Sequence, residues 1–181
     1  FQKLQVSKKM DAAEIKRAKV EDVLDMMSEN LPENPIRMDN RDLHYQVGRL
    51  YMGIGNKEKF KAVLSILMKR NDNTVRHRVE YAQSYLELEE FETSLPILKN
   101  LYNGYNSVEA KILASGRERK NVNTQMWNQY RKHYPDIVSQ LVINYRKLEM
   151  PDEAKDLLTT WLDRNPKDKE AKKLLKELTD S

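Results

Sequence analysis

The chain has no cysteine, only five glycines and three phenylalanines, and no run of eighteen apolar residues. The missing thiols exclude disulfides and thiolate metal centres, without choosing between a reducing and an oxidising compartment. The missing apolar run excludes a membrane-spanning helix in these residues. No asparagine stands in an N-x-[ST] frame, so there is no N-glycan acceptor. Charge of one sign is lacking too: 32 Lys and Arg face 28 Asp and Glu, interspersed, for a formal charge of +4. That small excess permits a nucleic-acid partner without arguing for one. The first residue is Phe and no signal peptide follows, so the chain is expected to be a fragment or processed piece of a larger protein. Charged residues at 33% and hydrophobic residues at 39% suit an open helical array better than one thick core.

Three of the scarce glycines fall in YQVGRLYMGIGNKEKFKAVLSIL, residues 45–67. GIG there invites a nucleotide-binding turn. Such a turn needs a strand before it and a third glycine or GK[ST] after it, whereas here the flanks read as helix and NKEK follows. Gly48 lies inside a helical apolar rhythm with Val47 and Tyr51, where it can let a neighbouring helix approach. Gly55 can end the helix in the left-handed conformation.

Shifted by 34 residues, LHYQVGRLYMGIGNKEKFKAVLSIL (43–67) falls on HRVEYAQSYLELEEFETSLPILKNL (77–101). A third copy, IVSQLVINYRKLEMPDEAKDLLTTW (137–161), follows at a displacement of 60. Each copy is a helical run, a short polar break (GNKE, EEFE, EMPD) and a second helical run. Neither helix can bury its stripe alone, but antiparallel pairing and stacking can bury both.

These residues resemble the tetratricopeptide repeat, whose pattern wants a small residue eighth, an aromatic eleventh, a small residue twentieth and a proline thirty-second. Residues 41–72, 75–106 and 135–166 fit that frame through Gly48/Ala82, Tyr51/Tyr85/Tyr145, Ser94/Ala154 and Pro166. Phe60, Val142 and Pro96 depart from it. The resemblance implies an all-α fold of antiparallel helix hairpins, a TPR-like α-solenoid. Its parts would be an N-terminal helix and proline-rich connector (1–40), two repeats (41–106), an irregular helical insertion or degraded repeat (107–134), and a third repeat with a capping helix (135–181). Asp11 and Glu14 would cap the first helix, whose stripe is Ile15, Val20, Val23, Leu24 and Met27 before LPENP breaks it. KDKEAKKLLKELTD (167–180) would close the array by laying Ala171, Leu174, Leu175 and Leu178 on the last repeat.

A helix, then LPENPIRMDNRDL, then irregular repeat-like pairs is also similar to the soluble C-terminal region of large bacterial membrane proteins of the glycosyltransferase type. That resemblance implies an appendage, extracytoplasmic in setting if the parent is such a protein, with the chemistry in residues outside this chain.

No catalytic constellation converges in the sequence, and no cofactor or metal is expected. His44, His77 and His133 are scattered, although the first two hold adjacent frame positions. The carboxylates of EEFE and PDE sit at turns and first turns, where they complement a helix N-terminus. Tyr102 and Tyr105 read as following a helix near Gly104, free for a partner, and Trp127 with Tyr130 could share a face. SGRERK (115–120) is the densest basic spot and reads as a solvated helix end. The resemblance places a partner groove on the first helix of each pair. Its positions fall on Asp42, Tyr45, Arg49, Met52 and Gly53, on Arg76, Val79, Gln83, Leu86 and Glu87, and on Asp136, Ser139, Ile143, Arg146 and Lys147. Aliphatic and aromatic contacts with a few charges suit a protein or peptide, or another region of the parent chain. The expected function is therefore a non-enzymatic interaction or scaffolding module. A membrane-transferase appendage and a nucleic-acid-binding repeat are the alternatives.

Overall fold

The computed structural model describes residues 12–29, 38–119 and 122–180, and among them every regular element is helical. In chain order the helices are α1 (Ala12–Glu29), α2 (Met38–Gly53), α3 (Lys57–Met68), α4 (Val75–Glu87), α5 (Phe91–Ala114), α6 (Gln125–Lys147), α7 (Pro151–Arg164) and α8 (Lys169–Asp180). The Asp11 cap and the LPENP break lie outside the described residues. The chain divides into two compact units, Phe1–Arg70 and Asn71–Ser181. In the first, α1 packs on α2 and α2 on α3. In the second, α4 pairs with α5 and α6 with α7, while α5 meets α6, α4 meets α6 and α7 meets α8. Helix pairs joined through their neighbours are compatible with a helical-repeat arrangement.

Three turns share one construction. The Tyr51, Tyr85 and Tyr145 carbonyls accept from the N–H groups of Asn56, Glu90 and Met150 at 2.9, 2.8 and 2.8 Å. Inside each lies a second bond: Gly55 to Met52 at 3.0 Å, Glu89 to Leu86 at 3.0 Å, and Glu149 to Arg146 at 3.4 Å. This pair of bonds closes a helix when the residue after it turns left-handed, and Gly55, Glu89 and Glu149 have φ of +83, +62 and +56°. They stand at the offsets of 34 and 60 read from the sequence.

The crossings inside two hairpins are also equivalent. Ser94 Oγ donates to the Ala82 carbonyl at 3.0 Å, so the eighth and twentieth frame residues meet. In the first hairpin a Cβ on Gly48 would lie 3.0 Å from both Phe60 and Val63. The departure at Phe60 is thus compensated: the absent side chain of Gly48 leaves room for the ring, which is fully buried.

Residues 107–134 are mostly helix. α5 continues to Ala114 and α6 starts at Gln125, so the span lengthens the second helix of one hairpin and the first helix of the next. That is why the offset grows from 34 to 60. Tyr102 and Tyr105, expected beyond a helix end, lie within α5. Gly104 does not end the helix; a Cβ there would occupy the space taken by the Tyr130 hydroxyl of α6.

α1 corrects a second expectation. Of its anticipated stripe only Leu24 is buried, whereas Ile15, Val20, Val23 and Met27 are 39, 45, 50 and 42% exposed. Its acidic side faces inward. Asp25 accepts from the Tyr51 hydroxyl and from Lys59 Nζ, both at 2.7 Å, and Glu21 accepts from Asn56 at 2.6 Å and pairs with Lys59 at 3.0 Å.

Candidate functional site

A groove of about 480 Å³ opens in the second unit, walled by α6 and the start of α8 and backed by α7. The α6 wall follows from helical spacing: Asp136, Ser139, Ile143 and Arg146 recur every three or four residues and are all exposed. Behind them Val138, Val142, Leu158 and Ala171 are buried, and Trp161 and Leu174 half-buried. The far wall is fixed at its start by Asp168. Its carboxylate accepts from the N–H groups of Glu170 and Ala171 at 3.1 and 3.0 Å, and from Trp161 Nε1 at 2.8 Å. The Ala171 N–H and then the indole hold this carboxyl below its ordinary range. The result is an apolar channel with a tethered tryptophan, carboxylates of Asp136 and Glu170 on its rim, and the guanidinium of Arg146 farther along α6.

Four of the groove residues anticipated from the third copy line this channel. Lys147 does not; its ammonium lies 6.0 Å from the Phe91 ring of α5. The second-copy set is split by burial. Val79 and Leu86 are only 5 and 8% exposed, so they serve packing and are not presented to a partner. Val79 joins the core that includes Leu98, Leu141 and Val142, because α6 lies against this side of α4. Arg76 and Gln83 are exposed but engaged along their own helix, with Glu80 at 2.7 Å and Glu87 at 3.4 Å. A smaller hollow of about 320 Å³ between the starts of α4 and α6 includes Thr74, Arg78, Gln129 and Tyr130, and none of the anticipated second-copy residues. In the first unit Asp42 and Gly53 are exposed, while Tyr45, Arg49 and Met52 are half-buried. Arg49 and Tyr45 lie against Phe60, at 5.6 and 6.5 Å between the respective groups.

The aromatic candidates are packing residues. Trp127 is 1% exposed and stacks on Tyr105 at 5.3 Å; Tyr105 stacks on Tyr134 at 3.7 Å. Beside them lies a buried carboxylate that sequence reasoning missed. Glu109 pairs with Arg119 and Arg164, each at 2.8 Å, and accepts from the Tyr105 hydroxyl at 3.1 Å. Arg164 also donates to Tyr134 at 2.6 Å and lies over both tyrosine rings. Burial, then the Glu109 charge, pushes the Tyr105 hydroxyl up to about 12. This cluster ties α5, the following connector, α6 and α7 together. A single glutamate at helical spacing from Tyr105 was the available signal, and its two arginine partners stand 10 and 55 positions away.

The histidines do other work. His77 closes a reciprocal cap with Thr74 at the start of α4, and His133 stands 3.6 Å from Asp136. Among the described residues no group of His, Cys, Asp or Glu is arranged to hold a metal ion, and no helix is long and apolar enough to cross a membrane. GIG begins on the last residue of α2 and leads to α3. Ser115–Arg119 of the basic spot are exposed, and Lys120 lies outside the described residues. Compared with family models, curated proteins and solved structures, the chain has no significant match.

Proposed function

We propose that this chain is a protein-interaction module of TPR-like character and that it docks a partner segment in the α6–α8 groove. The observation that carries the reading is the groove itself: an apolar channel about 480 Å³ in volume, lined by a regular row of exposed α6 side chains. A short peptide with one or two aliphatic or aromatic anchors matches such a surface. The rim charges orient it. Asp136 and Glu170 favour a basic residue at one end of the peptide, and Arg146 an acidic one toward the other. The function needs no cofactor, and chemistry performed by any larger parent protein would lie elsewhere.

Selection from a random peptide library displayed against the full chain tests the proposal. The expected consensus is an apolar anchor with a basic residue on one side and an acidic residue on the other. Ile143→Asp and Arg146→Glu are each expected to weaken the selected peptides at least about tenfold, with unchanged helical circular dichroism. Peptides that bind both variants as tightly as the parent chain would assign the docking surface elsewhere.

A further inference from the structure

The hollow of about 320 Å³ between the starts of α4 and α6 has one charged side chain in its lining, Arg78, and no carboxylate. Arg78 is half-buried, and among the described residues its guanidinium has one long, neutral partner, the Asn100 side chain of α5 at 3.4 Å. Arg164 of the same unit, by contrast, meets the Glu109 carboxylate at 2.8 Å. A guanidinium carries five N–H donors in a planar fork, so most of those on Arg78 stay open. Gln125, Gln129 and Tyr130 line the same space, and their side chains make no hydrogen bond among the described residues. The Tyr130 hydroxyl reaches over α5 because Gly104 there has no Cβ. Val75, Leu101 and Met126 supply an apolar side. The amino ends of α4 and α6 border the hollow too, and their partial positive charge adds to that of Arg78.

We infer that this hollow binds a small organic acid, one carboxylate on a compact apolar body. A carboxylate matches the guanidinium fork with two parallel N–H bonds, and its other lone pairs take the amide and phenol donors alongside. The apolar body lies against Val75, Leu101 and Met126. A phosphate is the poorer fit, because a single cation would face about two negative charges and the apolar side would go unused. The volume also limits the ligand, since it falls at the low end of small-molecule pockets.

Titration of the full chain with 3-phenylpropionate, followed by backbone amide shifts, tests the inference. Saturable shifts are expected at residues 74–78 and 125–130, with a dissociation constant of about 1 mM or below. The uncharged 3-phenylpropionamide should bind at least tenfold more weakly. Arg78→Met keeps most of the stem's volume and should weaken the acid by the same factor, with helical circular dichroism retained. Tyr130→Phe, which leaves the charge in place, should cost about three- to tenfold. No saturation by about 10 mM acid, or equal affinity for acid and amide, overturns the proposal. So does affinity indifferent to both substitutions. Inorganic phosphate that binds as tightly as the acid, or an N-acetylated peptide ending in Phe that binds tenfold more tightly, also defeats the small-acid assignment. The hollow shares no lining residue with the α6–α8 groove, so each of these results leaves peptide docking there to its own test.

Discussion

Glu89 and Glu149 occupy a backbone conformation that glycine reaches without a Cβ clash, and at the matching place in the first hairpin Gly55 does so. A left-handed non-glycine residue costs about 1–2 kcal/mol, partly offset by the greater freedom glycine loses on folding. Glu89→Gly and Glu149→Gly are each expected to stabilise the chain by about 0.5–1 kcal/mol, measured by urea denaturation. Unchanged or lowered midpoints in both would contradict the shared-turn account. Gly48 supplies the opposite test. A Cβ there would press on Phe60 and Val63 at 3.0 Å, and Phe60 is fully buried, so Gly48→Ala is expected to overpack the crossing at a cost of about 1–3 kcal/mol. The helix pairs were legible in the sequence because these residues perform backbone and crossing tasks at matching places in the hairpins. Gly104 was misleading for a related reason: glycine marks a close approach as readily as a helix end, and only the position of Tyr130 distinguishes them.

Elements were legible where an apolar stripe had one possible destination. α8 places Ala171 in the core and packs Leu174, Leu175 and Leu178 against it, as its spacing predicts. In α1 the stripe was visible but its direction was not, because inward placement was decided by Lys59 and Tyr51, more than thirty positions from Glu21 and Asp25 in most pairings. The Lys59 ammonium, then the Tyr51 hydroxyl, holds the Asp25 carboxyl below its ordinary 3.8. A carboxyl lowered in the folded state binds its proton more weakly there than in the unfolded chain. Its contribution is present above the ordinary value and is lost as pH falls through the lowered one. Amide exchange along α1 is therefore expected to accelerate below about pH 4, and Asp25→Asn should remove much of that acid dependence. The long helices of the second unit depend on Glu109 instead. Glu109→Gln leaves two guanidinium groups facing a neutral amide, at an expected cost of about 1–3 kcal/mol, moderated because Arg119 is 46% exposed. Denaturation followed by tryptophan fluorescence measures this loss; an unchanged midpoint would show that the paired carboxylate is dispensable.

At the scale of the whole molecule, one wall of the groove proposed for docking was legible and the other was not. Helical spacing alone aligned Asp136, Ser139, Ile143 and Arg146, and they line the channel together. The opposite wall depends on where α8 sits, which is set by the bond from Trp161 to Asp168 and by packing of Ala171. Of the second-copy positions, Val79 is buried because α6 lies against α4, a packing that the spacing alone does not reveal, whereas Arg76, Gln83 and Glu87 stay exposed. The docking we propose therefore falls at the third hairpin, where the first helix of a pair lines a groove beside α8. The most direct measurement is a nuclear magnetic resonance titration of the full chain with a library-selected peptide, following backbone amide shifts. The account predicts saturable shifts concentrated at residues 136–146 of α6 and 168–174 at the start of α8, with α2 and α3 unaffected. Shifts centred on α2 or α4, with α6 and α8 unmoved, would contradict it.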